Sequence, residues 1–221
     1  GTYLLRVQRG GGVAALGAGL PQTGTISNPV YFSYNFQQQN ALNLDVAGLD
    51  VSASYRFETA AGRFTLGGAF TRKMKFDQFF GANGKVFSVL GTAGFNATFP
   101  SVKFEGRFNL GFESGGFSTD VFVNHLGGYT NWSGAVANAV TRTNGVPTGG
   151  GDAVRSFTTV DLHVGYKFED LAFMENLSLF ADVTNLFDKA PPQFNAFNTN
   201  GSVAYDNLNA NPLGRVVTIG V

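Results

Sequence analysis

Apolar and polar side chains alternate with a period of two through most of this 221-residue chain from residue 49 onward. Successive side chains of a β-strand point to opposite faces, so each alternating run predicts a strand with one apolar and one polar face. The predicted strands cover residues 49–58, 64–75, 102–113, 117–132, 159–168, 177–184 and 214–221. We therefore expect an all-β, antiparallel fold whose strands are longer than those of most globular sheets.

The connections between these runs alternate in length along the chain. Short turns are predicted near Ala61, Gly115 and Ala172, and long loops over 78–101, 133–154 and 188–213. Strands that are apolar outside and polar inside, with short turns at one end and long loops at the other, are typical of outer-membrane β-barrels. Lipid offers the backbone no hydrogen-bond partner, so such a sheet has to be closed. This interpretation places the short turns on the periplasmic side and the long loops outside the cell.

A soluble β-sandwich is the main alternative, because its strands alternate in the same way. The composition favours the barrel: charged residues make up only 14% of the chain, against about 25% in soluble domains. The apolar faces are rich in phenylalanine, of which there are 23, and almost free of isoleucine. Phenylalanines also lie near strand ends, as in the aromatic girdle of a membrane barrel: Phe57, Phe76, Phe112 and Phe168.

Several function classes are excluded by composition. The net charge of zero gives no electrostatic field for nucleic acid, so no nucleic-acid partner is expected. The absence of cysteine excludes disulfides, thiolate metal sites and cysteine nucleophiles. The two histidines, His125 and His163, fall on opposite strand faces, which makes a poor metal site. No cofactor or metal is predicted.

The last forty residues carry an ordered set of short motifs. They are Asn185-Leu186-Phe187-Asp188-Lys189, Pro191-Pro192, Tyr205-Asp206 and Gly214-Arg215, followed by a final alternating strand. This set resembles the C-terminus of TonB-dependent outer-membrane receptors, and Ala47-Gly48-Leu49-Asp50 resembles a weaker signal of the same family. The resemblance implies a 22-stranded barrel around an N-terminal plug, driven by the TonB complex, that transports a solute and is not an enzyme.

Only part of such a barrel is predicted here, since about seven or eight strands account for the chain. We expect a C-terminal barrel segment over 1–221, with loop and weak strand over 1–40, strands over 41–221, and no plug domain. The odd strand count after residue 42 and the missing terminal aromatic at Val221 support this expectation. Alternatives are a self-contained eight-stranded barrel with a structural or adhesive role and, with least support, an enzyme, for which no Ser-His-acid constellation is visible.

The resemblance also implies partners: the remaining strands and plug of the same receptor, the TonB complex, outer-membrane lipid and a small solute. The resemblance implies an iron chelate, a cobalamin or a carbohydrate as the solute, and the sequence does not select among them. The alternation predicts a lipid-facing set and a set that faces the lumen, where plug or solute would lie. The lipid-facing set is Phe104, Phe108, Leu110, Leu162, Val164 and Tyr166, and the lumen-facing set is Asp50, Arg56, Lys103, Glu105, Arg107, Asp161 and His163.

Two smaller groups complete the candidates. Asp161 and His163 are same-face neighbours on one strand, which suits either an acid–base couple or a hydrogen-bonded pair in the lumen. Phe194, Phe197 and Tyr205 lie in the last long loop, where they would either stack on a ligand outside the cell or pack against the loop itself.

Overall fold

The computed structural model of the protein describes residues 2–7, 30–35, 42–80, 84–94, 102–132, 137–168, 177–195 and 204–221, and all regular structure within them is β-strand. The strands are β1 (Thr2–Val7), β2 (Val30–Asn35), β3 (Leu42–Thr59), β4 (Gly62–Phe80), β5 (Phe87–Ser88), β6 (Thr92–Gly94), β7 (Phe104–Ser114), β8 (Phe117–Leu126), β9 (Tyr129–Trp132), β10 (Thr141–Thr143), β11 (Val146–Gly149), β12 (Asp152–Val154), β13 (Phe157–Phe168), β14 (Leu177–Thr184) and β15 (Val216–Gly220). The chain divides into two compact units, Gly1–Ala41 and Leu42–Val221. In the first unit, β1 and β2 pair with each other in antiparallel fashion.

The second unit is built on an eight-stranded antiparallel sheet. Its strand order is β15-β14-β13-β8-β7-β4-β3, with the short β5 paired to β4 off this path. Each long strand therefore pairs with the long strand next to it along the chain. Within the described residues, the two edge strands β3 and β15 do not pair with each other. An open, all-β, antiparallel sheet of a partial barrel confirms the predicted fold class.

The cross-strand register keeps the apolar face continuous from strand to strand. Phe108 of β7 lies between Gly68 of β4 and Val123 of β8, and its ring covers Gly68, where a Cβ would come within 2.7 Å of it. This face is not a closed core: the exposed fraction of Phe108 is 40% and that of Leu110 is 46%. Rings packed inside a sandwich core would be buried, so the exposure supports a sheet whose apolar face meets lipid.

Two aromatic rows border this apolar face. Near the short turns, Phe57, Phe64, Phe112 and Phe117 contact in series, with ring centroids 5.3, 4.7 and 6.4 Å apart. Near the long loops, Phe70, Phe104 and His125 lie in series, 5.6 and 5.7 Å apart. On β7 the rows are separated by the stretch from Phe104 to Phe112, about 26 Å at ~3.3 Å per residue. That separation matches the apolar band of about 25 Å in outer-membrane barrels.

A β-bulge interrupts the pairing of β3 with β4, which are 18 and 19 residues long. Gly48 pairs with Lys73 and Ala47 pairs with Lys75, so Met74 is the extra residue, on β4. An extra residue reverses the side-chain faces of its strand beyond that point. The alternation of the sequence alone predicts no change of side-chain face at Met74.

Charged residues occupy the outer face of the sheet beyond the bulge. Lys75 forms ion pairs with Asp45 across the strands and with Asp77 along its own strand, the latter at 3.7 Å between Nζ and Oδ2. Phe76 turns to the opposite face, where it is only 8% exposed, and its carbonyl accepts a hydrogen bond from the amide of Val89. The prediction that Phe76 belongs to the outer aromatic girdle is therefore wrong.

Two of the predicted short turns lie at one end of the sheet. In the β3–β4 turn the Thr59 hydroxyl donates to the Gly62 carbonyl at 2.9 Å. The β7–β8 turn contains Gly115 with φ of 56°, a left-handed conformation that favours glycine. The predicted turn near Ala172 lies outside the described residues.

The long connections fold together at the other end of the sheet. Strand β9 pairs with β12 in antiparallel and with β6 in parallel fashion, and β10 pairs with β11 as a separate hairpin. Their shared core is Ala93, Val102, Tyr129, Val154 and Phe194, with Leu126 packed against it. We call β6, β9, β12 and this core the loop cluster. The sequence predicted loops over 78–101, 133–154 and 188–213, and the structure corrects this, because each of the three contributes a residue to one small core.

Candidate functional site

The polar face of the sheet carries the predicted lumen-facing residues. Asp50, Arg56, Glu105, Arg107, Asp161 and His163 all lie on this one face in the observed register. Lys103 lies just before β7, with its side-chain stem over Gly91. The face is arranged as rows that run across the strands. One row is Asp50, Thr71, Glu105, Leu126 and Phe157, and the next is Ser52, Ala69, Arg107, Asn124 and Thr159.

A cavity of about 630 Å³ lies over these two rows. The rows form its floor, and the segment from Asn209 to Gly214 contributes its other wall. Among the predicted set, Asp50, Glu105 and Arg107 line the cavity, while the other four do not. A volume of this size is typical of sites for small organic molecules.

Arg107, on the floor of the cavity, is held against a neighbouring aromatic ring. Its guanidinium carbon lies 4.3 Å from the ring centroid of Phe122, a cation–π contact. Phe122 is the apolar residue that interrupts the polar parity of β8. The contact leaves the N–H groups of Arg107 without a hydrogen-bond acceptor among the described residues. Arg107 is thus oriented by stacking while its donors stay available.

Asp161 is a structural acceptor on the row next to the cavity. Its Oδ2 accepts a hydrogen bond from Asn124 Nδ2 at 2.8 Å, and its Oδ1 accepts one from the backbone amide of Asn185 at 2.9 Å. Asn124 and Asn185 both line the cavity. Asp161 therefore holds the side-chain amide of Asn124 and the backbone amide of Asn185 in place, without lining the cavity itself.

His163 takes its acid partner from the neighbouring strand. Its Nδ1 lies 2.6 Å from Oδ1 of Asp182, which is the residue opposite it in the β13–β14 register. The ring also stacks at 6.3 Å on Phe180. The structure thus corrects the predicted partnership of Asp161 with His163: both face the same side, but each is hydrogen-bonded to a different neighbour.

Asp206 anchors the segment that closes the cavity. This carboxylate is only 6% exposed. Its Oδ2 accepts hydrogen bonds from the Tyr129 hydroxyl at 2.5 Å and from Asn209 Nδ2 at 2.7 Å, and its Oδ1 accepts one from the Leu208 amide at 3.0 Å. Burial raises the pKa of Tyr129 above its ordinary value, and the bond to Asp206 raises that pKa further. Asp206 therefore joins the cavity wall to the loop cluster.

The turn after β14 fixes the far end of the same segment. The side chain of Asn185, itself at a left-handed φ of 52°, exchanges two hydrogen bonds with the backbone of Lys189, at 2.9 and 3.0 Å. Asp188 Oδ1 accepts the backbone amide of Arg215 at 2.9 Å. A Cβ on Gly214 would lie 2.6 Å from that same oxygen, which explains the glycine. Two of the C-terminal motifs, Asn185 to Lys189 and Gly214-Arg215, are thus joined to each other by hydrogen bonds.

The aromatic residues of the last loop have different positions. Phe194 is 8% exposed and packs at 6.2 Å on Tyr129 within the loop cluster. Its burial favours the loop-packing alternative over contact with a ligand. Tyr205 is half-buried. Phe197 lies outside the described residues.

Sequence reasoning missed three residues that shape this site. Phe122 had a signal, since it is an apolar residue at a polar position. Asp206 was noted only as part of a motif, and Tyr129 was counted as the continuation of a strand. Their roles depend on contacts between residues 77 positions apart, such as Tyr129 with Asp206, which no local pattern encodes.

Comparison with known proteins identifies the family. Residues 15–186, more than half of the chain, match the family described as TonB dependent receptor-like, beta-barrel. Most of the C-terminal motifs lie beyond this match. No curated protein and no solved structure matches the chain. Over the part of the chain that the structure describes, no helix has the length and apolarity to cross a membrane.

The family is one of transporters and not of enzymes, and it implies the outer membrane together with plug and TonB interactions in general terms. The seven predicted long strands, their sequential antiparallel pairing and the two aromatic rows agree with this assignment. The chain belongs to the TonB-dependent receptor β-barrel family.

Proposed function

We propose that this chain forms the C-terminal part of the barrel wall of a receptor that imports a scarce solute across the outer membrane with energy from TonB. The observation that carries this proposal is the two-sided sheet: its apolar face lies between aromatic rows, and its polar face bears a cavity closed by the loop segment. An apolar face of this kind is suited to lipid, and the polar face to a lumen.

The remaining strands and the plug of the same receptor are the proposed partners. Strands β3 and β15 carry one unpaired edge each within the described sheet. Backbone groups at such an edge have no partner in lipid, so further strands have to pair there. The lumen-facing residues Asp50, Arg56 and Lys103, with Glu105, Arg107, Asp161 and His163, would then contact plug or solute.

Uptake that depends on TonB is the direct test of this function. The complete receptor is expressed in Gram-negative cells with and without TonB, and the cells are given radiolabelled ferric chelate, cobalamin or neutral oligosaccharide. We expect accumulation of one solute class in cells that have TonB and a fall to background in cells that lack it. Equal accumulation in both strains would contradict the proposal and favour a passive pore. Accumulation of none of the three solutes in either strain would also contradict it and would favour a structural role.

Cysteine labelling tests the proposed orientation, since the chain has no native cysteine. With a membrane-impermeant maleimide, Thr143→Cys in the β10–β11 hairpin is expected to label on intact cells, because this residue is exposed among the long loops. Ala61→Cys, in a short turn, is expected to label only after permeabilisation. Leu66→Cys, on the apolar face, serves as the control that labels in neither. Labelling of Ala61→Cys on intact cells would reverse the orientation.

A further inference from the structure

The cavity under the Asn209–Gly214 segment is balanced in charge. Its lining includes the carboxylates of Asp50 and Glu105 and the guanidinium of Arg107. Glu105 is further paired with Lys73, at 3.5 Å between Oε1 and Nζ. Lys73 does not line the cavity, but it offsets the charge of Glu105 from beside the floor. The two carboxylates and the two cationic groups at and beside the cavity therefore sum to no net charge that would select a strongly anionic or cationic solute.

Hydrogen-bonding groups are dense on both sides of the cavity. Besides the charged residues, the lining has hydroxyls and side-chain amides: Ser52, Thr71, Thr159, Thr184, Asn124, Asn185, Asn209 and Asn211. Asp50 makes no hydrogen bond or ion pair within the described residues, so its oxygens are available as acceptors. Arg107 likewise has available donors. Phe157 adds an aromatic ring at the same floor.

A hydroxyl group both donates and accepts hydrogen bonds, so a solute with many hydroxyls can accept from Arg107 and donate to Asp50 at once. Its C–H faces can pack on Phe157. A solute that carried a high charge would instead leave one of the two ions facing a like charge. The cavity volume of about 630 Å³ is suited to a molecule the size of two or three sugar rings and is too small for a polymer.

We propose that this cavity is the subsite for a neutral, polyhydroxylated solute, such as a short oligosaccharide, with Arg107 as its main donor and Asp50 as its main acceptor. This inference rests on the proposed transport function and names the solute class of the same site. Asp206 acts as a positioning residue, because it holds the cavity wall at Asn209 without lining the cavity itself.

Binding to the purified complete receptor tests the assignment. The probes are maltotriose, cellotriose and xylotriose, and the comparison ligands are an anionic ferric catecholate chelate and cobalamin, all measured by calorimetry. We expect one of the trisaccharides to bind, and Arg107→Gln to weaken it by about tenfold or more, since a hydrogen bond from a charged group is lost. Asp50→Asn is expected to weaken the same binding severalfold.

The matched control is Arg63→Gln, which removes an arginine of the same sheet at the short-turn end, away from the cavity. It is expected to leave the affinity within about twofold of the parent receptor. Heat-modifiable migration on gels verifies that each variant is a folded barrel. Equal losses in Arg107→Gln and Arg63→Gln would overturn the role of Arg107.

The outcomes separate this inference from the proposed function. If no trisaccharide binds, or if the charged chelate binds and loses affinity in Arg107→Gln, the solute class is wrong while TonB-dependent transport of another solute can still be observed. If a trisaccharide binds as expected but its accumulation is the same without TonB, the subsite stands and the transport function fails.

Discussion

Phe108→Arg is expected to destabilise the folded barrel by about 2–4 kcal/mol, the cost of placing arginine near the midplane of a bilayer. Phe108 lies midway between the two aromatic rows on β7, and its side chain is on the exposed apolar face. Arginine there has to place its guanidinium in hydrocarbon or bend it toward the headgroups. The measurement is urea unfolding of the complete receptor in lipid vesicles, followed by heat-modifiable migration.

The control is the adjacent residue. Asn109→Arg introduces the same side chain one position along the strand, on the polar face, where it is expected to cost less than about 1 kcal/mol. The comparison holds strand, depth and side chain constant and changes only the face. A greater loss from Asn109→Arg than from Phe108→Arg would mean that the two faces of the sheet are exchanged.

Asp206→Ala is expected to lower the free energy of local unfolding of the loop cluster by about 3 kcal/mol. The reason is that each buried donor that loses its acceptor costs about 1–3 kcal/mol. The hydroxyl of Tyr129 and the side-chain amide of Asn209 both lose their partner in this variant. Hydrogen exchange of the β6 and β9 amides measures the effect, and we expect faster exchange there with little change in β7 and β8. The Asn209 wall of the cavity loosens at the same time, so solute affinity is expected to fall.

A second aspartate of the same cluster provides the control. Asp152 is half-exposed and bonds mainly to the neighbouring 137–138 segment, with a further side-chain hydrogen bond from Asn195; the backbone hydrogen bond from Asn138 lowers its pKa most. Asp152→Ala is expected to change exchange only in that segment and next to Asn195. If exchange accelerated equally throughout the loop cluster in both variants, Asp206 would have no special role in stabilising the cluster.

The sheet was predictable from sequence because strand parity is a local property. Residues two apart share a face whatever lies beside them, so the faces of Phe104, Glu105 and Asp161 followed from alternation alone. The short strands of the loop cluster were not predictable in this way. Strand β6 has three residues and pairs with β9, more than thirty residues later, so the pairing depends on tertiary packing rather than on a periodic pattern.

Hydrogen-bond partners across strands were equally beyond local reasoning. The choice of Asp182 rather than Asp161 as the partner of His163 is set by the β13–β14 register, which depends on where the intervening turn begins. The reversal of Phe76 depends on one inserted residue, Met74, that leaves the composition of the strand unchanged. Only Phe122 carried a visible sign of its role, as an apolar residue among polar ones.

The bulge in β4 sets how deeply the protein sits in the membrane. Below it, the outer face is apolar up to the aromatic row at Phe70, and Arg72 lies between that row and the bulge. Above it, the same face carries the Asp45, Lys75 and Asp77 ion pairs. A displacement that moved the long-loop end of the sheet into the bilayer would draw these charges into hydrocarbon, and the opposite displacement would expose the band around Phe108 to water. Both cost free energy that rises with distance. The inserted residue Met74 therefore limits how far the sheet can move along the membrane normal. This limit sets the height of the cavity above the bilayer midplane.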